Sequence, residues 1–250
     1  MLSFINVGSG SKGNATLIYN EDTLIQIDMG LPLKSIKAAL KEIGKSIEDL
    51  RAVFITHDHS DHISTLERLP KNVVRFASEK TINGEYRILY LDECILVGSM
   101  VVQPLKTSHD AINPIGFLIK DNDESLAYIT DTGFIPDETL PFLVDATYYI
   151  FESNHDYKML MKSKRPPSLK KRIHSDLGHL SNVDSAFYLS HFIGPKTKEI
   201  YLAHLSEECN LPHLAIDAHL KAYKKKRIDV DKIDLVCLKQ RSFTKGGHAK

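Results

Sequence analysis

Apolar residues in this chain come mostly in short runs separated by polar turns, the rhythm of many short strands. Leu2–Val7 alternates apolar and polar positions as a half-buried strand does. Asn14–Tyr19 and Thr23–Asp28 predict two more strands, joined by a turn of Asn20, Glu21 and Asp22. Pro32 and Gly44 bracket a helix over Leu33–Ile43. Val53–Thr56 predicts a strand, and Ser64–Leu69 a short helix stopped by Pro70. Further strands are expected at Val73–Ala77, Arg87–Leu91, Met100–Leu105, Gly116–Ile119 and Leu126–Thr130. Pro136–Val144 predicts a helix, Thr147–Phe151 a buried strand, and Asn154 to Gly178 a polar stretch interrupted by prolines. Asp184–Phe192 and Leu214–Lys224 read as helices, Ile200–Ala203 and Leu235–Leu238 as strands. Two blocks of strands, each with its own helices, fit two facing sheets covered outside by helices. A single domain over 1–243 is expected, with 244–250 a frayed tail.

Composition changes this picture little. Apolar content of 42% and charged content of 26% are those of an ordinary globular protein. Formal net charge is zero, so any attraction for a polyanion has to be local. Cys94, Cys209 and Cys237 are scattered and odd in number; they read as reduced thiols, with Cys209 structural. The opening M-L-S-F-I-N-V lacks the features of a signal peptide, and no apolar run approaches a membrane span. A cytoplasmic protein without membrane contact is the expectation.

Chemistry concentrates in T-H-D-H-S-D-H, Thr56 to His62. Directly after an apolar strand it places His57, His59, Asp61 and His62 within six residues, with the first two imidazoles on one side. Imidazole and carboxylate suit zinc, manganese or iron. Three more candidates follow strands: His109 in T-S-H-D, Asp131 in I-T-D-T-G, and His204 in Y-L-A-H-L-S. The seven ligands partition into two divalent sites. His57, His59 and His109 would hold one ion, Asp61, His62 and His204 the other. Asp131 would bridge them, at the roughly 3.5–4 Å separation of binuclear centres, leaving a shared position for water.

The H-x-H-x-D-H stretch, followed by single His, Asp and His ligands, resembles the metallo-β-lactamase fold superfamily across nearly the whole chain. Within it, G-S-G-S-K-G-N (Gly8 to Asn14), F-E-S-N-H-D (Phe151 to Asp156) and G-H-L-S-N (Gly178 to Asn182) are similar to the YycJ/WalJ-like branch. That resemblance implies an α/β fold, an αββα sandwich, and a 5′-to-3′ DNA exonuclease-like activity without an inserted cap domain. Glu152 and His179 resemble the pair by which transfer-RNA 3′-processing members protonate a leaving oxygen. On that likeness His179 is the general acid and Glu152 its orienting partner.

Four other features bear on substrate. The glycines of Gly8 to Asn14 allow a turn with exposed N–H groups, making Ser11 and Asn14 candidate phosphate contacts; a plain turn is the alternative. His155 either touches substrate or bonds a neighbouring loop. Lys158 to Arg172 carries seven Lys or Arg and no acid, among them Lys164 and Arg165, a strip suited to a nucleic-acid backbone, with DNA the favoured partner. Lys224 to Arg227 ends a helix, where cations offset the dipole. The expected activity is binuclear phosphodiester hydrolysis. Its rivals are an acyl hydrolase (lactonase or thioesterase) on the same centre and a non-catalytic metal-binding regulator.

Overall fold

The computed structural model describes residues 1–250. Alternation along the strands sorts apolar side chains into three layers. Ala52 and Phe54 point one way, into a core with Phe117, Tyr128 and Tyr201; Val53 and Ile55 point the other way, into a core with Ile36 and Leu40. Across the molecule Leu126 and Tyr128 join the first core, while Ala127 and Ile129 face a third with Leu189 and Tyr223. The first core is the seam between two sheets. The other two lie under helices, so the layers run helix, sheet, sheet, helix, as expected.

The first sheet contains β1 (Ser3–Gly8), β2 (Ala15–Tyr19), β3 (Leu24–Ile27), β4 (Ala52–Phe54), β5 (Val74–Ala77) and β6 (Arg87–Ile88). The second contains β7 (Ile95–Val97), β8 (Met100–Lys106), β9 (Ile115–Asp121), β10 (Glu124–Ile129), β11 (Tyr148–Glu152), β12 (Glu199–Ala203) and β13 (Asp234–Cys237). A last strand, β14 (Thr244–Gly247), returns to the first sheet beside β1. In both sheets, antiparallel pairing gives way to a parallel run: β3 to β6 in one, β10 to β13 in the other. Helix α1 (Leu33–Glu42) covers the first sheet; α2 (Ser60–Ile63), α3 (Leu140–Leu143), α4 (Tyr157–Lys162), α5 (Pro167–Ile173), α6 (Asn182–Phe192) and α7 (Pro212–Lys226) follow in order.

Several expectations need correction. The tail is not frayed: Ser3 pairs with Gly247 and Asn6 with Thr244, and Gly246 admits the Phe4 ring where a Cβ would lie 2.2 Å from it. The helix expected at Ser64–Leu69 instead begins inside the histidine motif, at Ser60, and Leu66–Arg68 forms only a 3₁₀ turn. The helix over Pro136–Val144 shrinks to α3, because Pro141 must sit in a first turn. Inside the supposedly irregular 154–178 stretch lie α4, capped by the Asp156 carboxylate accepting from Met159 N–H at 2.8 Å, and α5, started by Pro167. No helix is long and apolar enough to cross a membrane.

Candidate metal centre

Outside the histidine motif, most candidate ligands lie at or just past the C-terminal end of a second-sheet strand. Asp131 follows β10, Glu152 ends β11, His204 follows β12, and His109 stands beyond β8. Parallel register lines these ends up, with Ile129 opposite Phe151 and Glu152 opposite Ala203. The chain turns sharply there. Asp131 (φ 55°) and His204 (φ 56°) are left-handed, as is Asp28 (φ 60°) after β3, a conformation costly for residues with a Cβ. Close packing completes the frame: a Cβ on Gly30 would lie 1.5 Å from the Asp61 carbonyl oxygen.

Side-chain donor atoms converge in overlapping groups. His57, His59 and His109 form one, Asp61, His62 and His204 another, and Asp131 joins both His57–His62 and Glu152–His179–His204; donors in each group lie within 4.8 Å of one another. The imidazoles are individually anchored. His62 Nδ1 donates to Asp28 Oδ2 at 2.7 Å, His109 Nδ1 to the Gly178 carbonyl at 3.0 Å, and His204 Nδ1 to Glu152 Oε1 at 3.0 Å. His57 Nδ1 lies 3.0 Å from Thr56 Oγ1, and His59 Nε2 3.3 Å from the Asp110 carbonyl. Anchoring one ring nitrogen turns the other toward the centre, the arrangement of metal-ligating histidine, although His62 Nε2 also lies 2.9 Å from Asn14 Nδ2. His57 Nε2, His204 Nε2 and Asp131 Oδ2 are buried without any hydrogen-bond partner. Such orphaned polar atoms are costly unless a ligand satisfies them, so these residues fit divalent cations.

Charge in the cluster is strongly coupled. Burial works to raise the Asp131 carboxyl, but His204, His62 and His57 outweigh it and hold it well below the usual range. Burial would lower His62, yet Asp28 and Asp131 raise it well above an ordinary imidazole. For His204 burial likewise loses to Asp131 and Glu152, and its pKa is pushed up to about 9. His57, with burial and the His62 charge acting together, is held well below. A negative carboxylate thus stands ready among rings of which one is already neutral.

Residues 27–197 match the family model of the beta-lactamase superfamily domain. The chain belongs to that superfamily. It is 35% identical over 227 residues to exodeoxyribonuclease YycJ of Bacillus anthracis, covering 86% of each chain. It is 36% identical over 224 residues to exodeoxyribonuclease WalJ of Streptococcus pneumoniae, covering 84% of this chain and 83% of that one. Among solved structures, the metallo-beta-lactamase fold protein YhfI from Bacillus subtilis superimposes with a TM-score of 0.73 at 15% identity, over 98% of this chain and 99% of that one. The αββα layering is therefore the metallo-β-lactamase fold.

Beside the ligand groups stands the Glu152–His179 pair. His179 Nδ1 donates to Glu152 Oε1 at 2.8 Å, and the same carboxylate accepts the backbone N–H of Thr132 at 2.9 Å and Leu180 at 3.2 Å. Burial would raise Glu152, but His179 and His204 pull it down to about 2, so it is a fixed anion. His179 keeps a partly exposed ring facing the centre, 5.0 Å from His109 and 5.1 Å from His204 between ring centroids.

The candidate substrate contacts fare unevenly. Asn14 is fully buried: its Oδ1 accepts from Gly10 N–H at 2.8 Å, its Nδ2 lies 2.9 Å from His62 Nε2, and its backbone N–H donates to the Asp61 carbonyl at 2.8 Å. The loop is thus a clamp on the histidine motif. Ser9 Oγ extends it by accepting from His204 N–H at 2.9 Å, while Ser11 stays exposed at the tip. His155 is also fully buried, Nε2 lying 3.3 Å from His174 Nδ1, and burial with His174 beside it lowers its pKa to about 4; it braces a loop. Within the basic strip Arg165 pairs with Glu208 at 3.0 Å and Arg172 with Asp110, next to His109. Lys158, Lys162, Lys164 and Lys171 remain exposed without an acidic partner. Cys209 packs with Leu160 and Ile173. Sequence reasoning passed over Asp28 and Thr56. Asp28 closes a strand much as Asp131 does, a signal that could have found it; its carboxylate accepts from Thr56 N–H at 2.9 Å and orients His62.

Proposed function

We propose that the chain is a metal-dependent phosphodiesterase that removes nucleotides from the end of DNA, working with two divalent ions, zinc or manganese. The observation that carries this is the Glu152–His179 pair, fixed 2.8 Å apart against the ligand groups, where a departing alkoxide would need a proton. The two exodeoxyribonuclease relatives and the four unpaired lysines support a nucleic-acid substrate.

His57, His59 and His109 would hold one ion, Asp61, His62 and His204 the second, with Asp131 shared. Divalent ions there lower the pKa of water and offset charge on a phosphodiester. The protein does the rest. Asp28, Glu152 and the carbonyl oxygens of Gly178 and Asp110 fix the imidazoles, so little reorganisation accompanies reaction. His179 gives its proton from the ring edge away from Glu152 to the leaving oxygen. Glu152 accepts the Nδ1 hydrogen throughout and stabilises the charged ring. Lys164 and Arg165, with their lysine neighbours, would position the phosphate backbone, and Ser11 would meet substrate at the loop tip.

The test is protein stripped of metal, reloaded with zinc or manganese separately, and assayed on end-labelled single- and double-stranded DNA and RNA beside a lactone. Elemental analysis after reloading should approach two ions per chain, and mononucleotides should be released from DNA. Turnover of the lactone with no release from either nucleic acid would assign the centre to acyl transfer instead.

A further inference from the structure

Beside His179 lies a recess of about 370 Å³, between the loop after β10 and the start of α6. Phe134, His174, His179, Asp184, Phe187 and Tyr188 line it. Its volume is in the range of small-ligand sites. Two of its rings are unusually bare for phenylalanine: Phe134 is 39% exposed and Phe187 57%. Neither is on a loose segment. Phe134 sits three residues beyond Asp131, on a loop fixed by Thr132 Oγ1 donating to the Phe134 carbonyl at 2.6 Å and Gly133 N–H donating to the Ser108 carbonyl at 2.8 Å. That loop cannot shift outward, since a Cβ on Gly133 would already lie 2.3 Å from the carbonyl oxygens of Ser175 and Asp176. Phe187 is on α6, whose start is fixed by Ser181 accepting from Asp184 N–H at 3.2 Å, and Tyr188 backs it edge-on at 5.7 Å.

We infer that this recess seats the nucleobase on the leaving-group side of the scissile bond, stacked on Phe134 and Phe187. The inference rests on the nuclease reading above and adds to it where the substrate's bases go. No Lys or Arg lines the recess, and its acidic groups are unfavourable to phosphate, whereas a neutral aromatic ring would cover both exposed phenylalanines. Phosphates have their own surface on α4 and α5, and α5 runs directly into His174 at the recess wall. The side is set by chemistry: His179 gives its proton to the leaving oxygen, so a group resting against His179 is bonded to that oxygen. Because every base offers a π-face, such stacking tolerates all four sequences. A second recess of about 460 Å³ shares Phe187 and Tyr188, so the aromatic floor continues away from the centre.

The experiment compares two oligonucleotides in the metal-loaded protein, one natural and one with a tetrahydrofuran abasic residue on the leaving side. Wild-type protein should lose about 5- to 100-fold in kcat/KM on the abasic strand, the range expected for one base–aromatic stack. Phe187→Ala should lose a similar factor on the natural strand and almost nothing further on the abasic one, while Phe187→Tyr retains wild-type behaviour. Metal content by elemental analysis should be unchanged in both variants. Independently, 2-aminopurine at the leaving-side position, beside a non-hydrolysable methylphosphonate link, should be quenched by wild type and not by Phe187→Ala. Equal loss on both strands, or on neither, would overturn the base subsite while leaving the nuclease reading intact. So would a change of oligomeric state in Phe187→Ala by sedimentation, which would make the rings a contact between copies of the chain. A wild-type protein that cleaves no oligonucleotide would remove both.

Discussion

The two sides of the candidate centre are built in opposite ways. On one side His57, His59, Asp61 and His62 come from a single loop and the helix it starts, with no residue among them in a left-handed conformation. On the other, Asp131, Glu152, His179 and His204 come from four segments far apart in sequence, and two of them need positive φ. The contiguous side depends on local spacing. The dispersed side depends on β10, β11 and β12 pairing in one register, and it stores backbone strain. The centre thus takes His57, His59, Asp61 and His62 from one loop, and Asp131, His204 and the Glu152–His179 pair from the strand ends and loops of the second sheet.

The largest expected effect separates these roles. His179→Ala should cost about 10²–10⁴-fold on DNA but much less on bis(p-nitrophenyl) phosphate, whose phenolate leaves almost unaided, with metal content unchanged. Glu152→Gln should move the same way and less far. Equal losses on both substrates would make His179 a positioning group. Next, Asp131→Ala should lower occupancy of both ions by elemental analysis, whereas His59→Ala lowers only one. The affinity loss for Asp131→Ala should exceed the about 10–100-fold typical of residues that merely orient a ligand. If Asp131→Ala keeps one ion at full affinity, the two sides are independent. Asp28→Asn should fall within that 10–100-fold range, read by competition with a chelator; unaltered affinity would reduce Asp28 to a core carboxylate. Smallest is the strain itself. In metal-free protein, His204→Val should destabilise by about 1–2 kcal/mol more than His57→Val, since a branched side chain tolerates the left-handed region worst. That corresponds to a further drop of about 2–8 °C in Tm. Equal drops would show that His204 carries no strain.

The same asymmetry governs what could be read from sequence. The spacing of His57 to His62 announces itself, and strand-end position was enough to nominate His109, Asp131 and His204, because alternation marks where β8, β10 and β12 stop. Layering was legible too, since alternate residues such as Phe54 and Val53 belong to different cores. Burial was not. Asn14 and His155 stood as candidate substrate contacts, with a plain turn and a loop contact as the alternatives, because nothing local reveals that Gly30 and His174 close over them. Helices α4 and α5 were hidden by their lysines and prolines, which mark a loop in composition but serve here as outer face and first turn. Asp28 escaped notice because its partner His62 is distant in sequence.

The pairing of β1 with β14 bears on how the polypeptide is made. A ribosome releases β1 before the other strands of both sheets and β14 after them, so one edge of the first sheet stays bare until β14 emerges. Ser9, at the end of β1, must meanwhile wait for His204 before the glycine loop can lock onto the centre. Contacts of such long range close slowly. A nascent chain would therefore carry the histidine motif early and complete the site only once β12 and His204 have emerged, which limits what shorter copies could do.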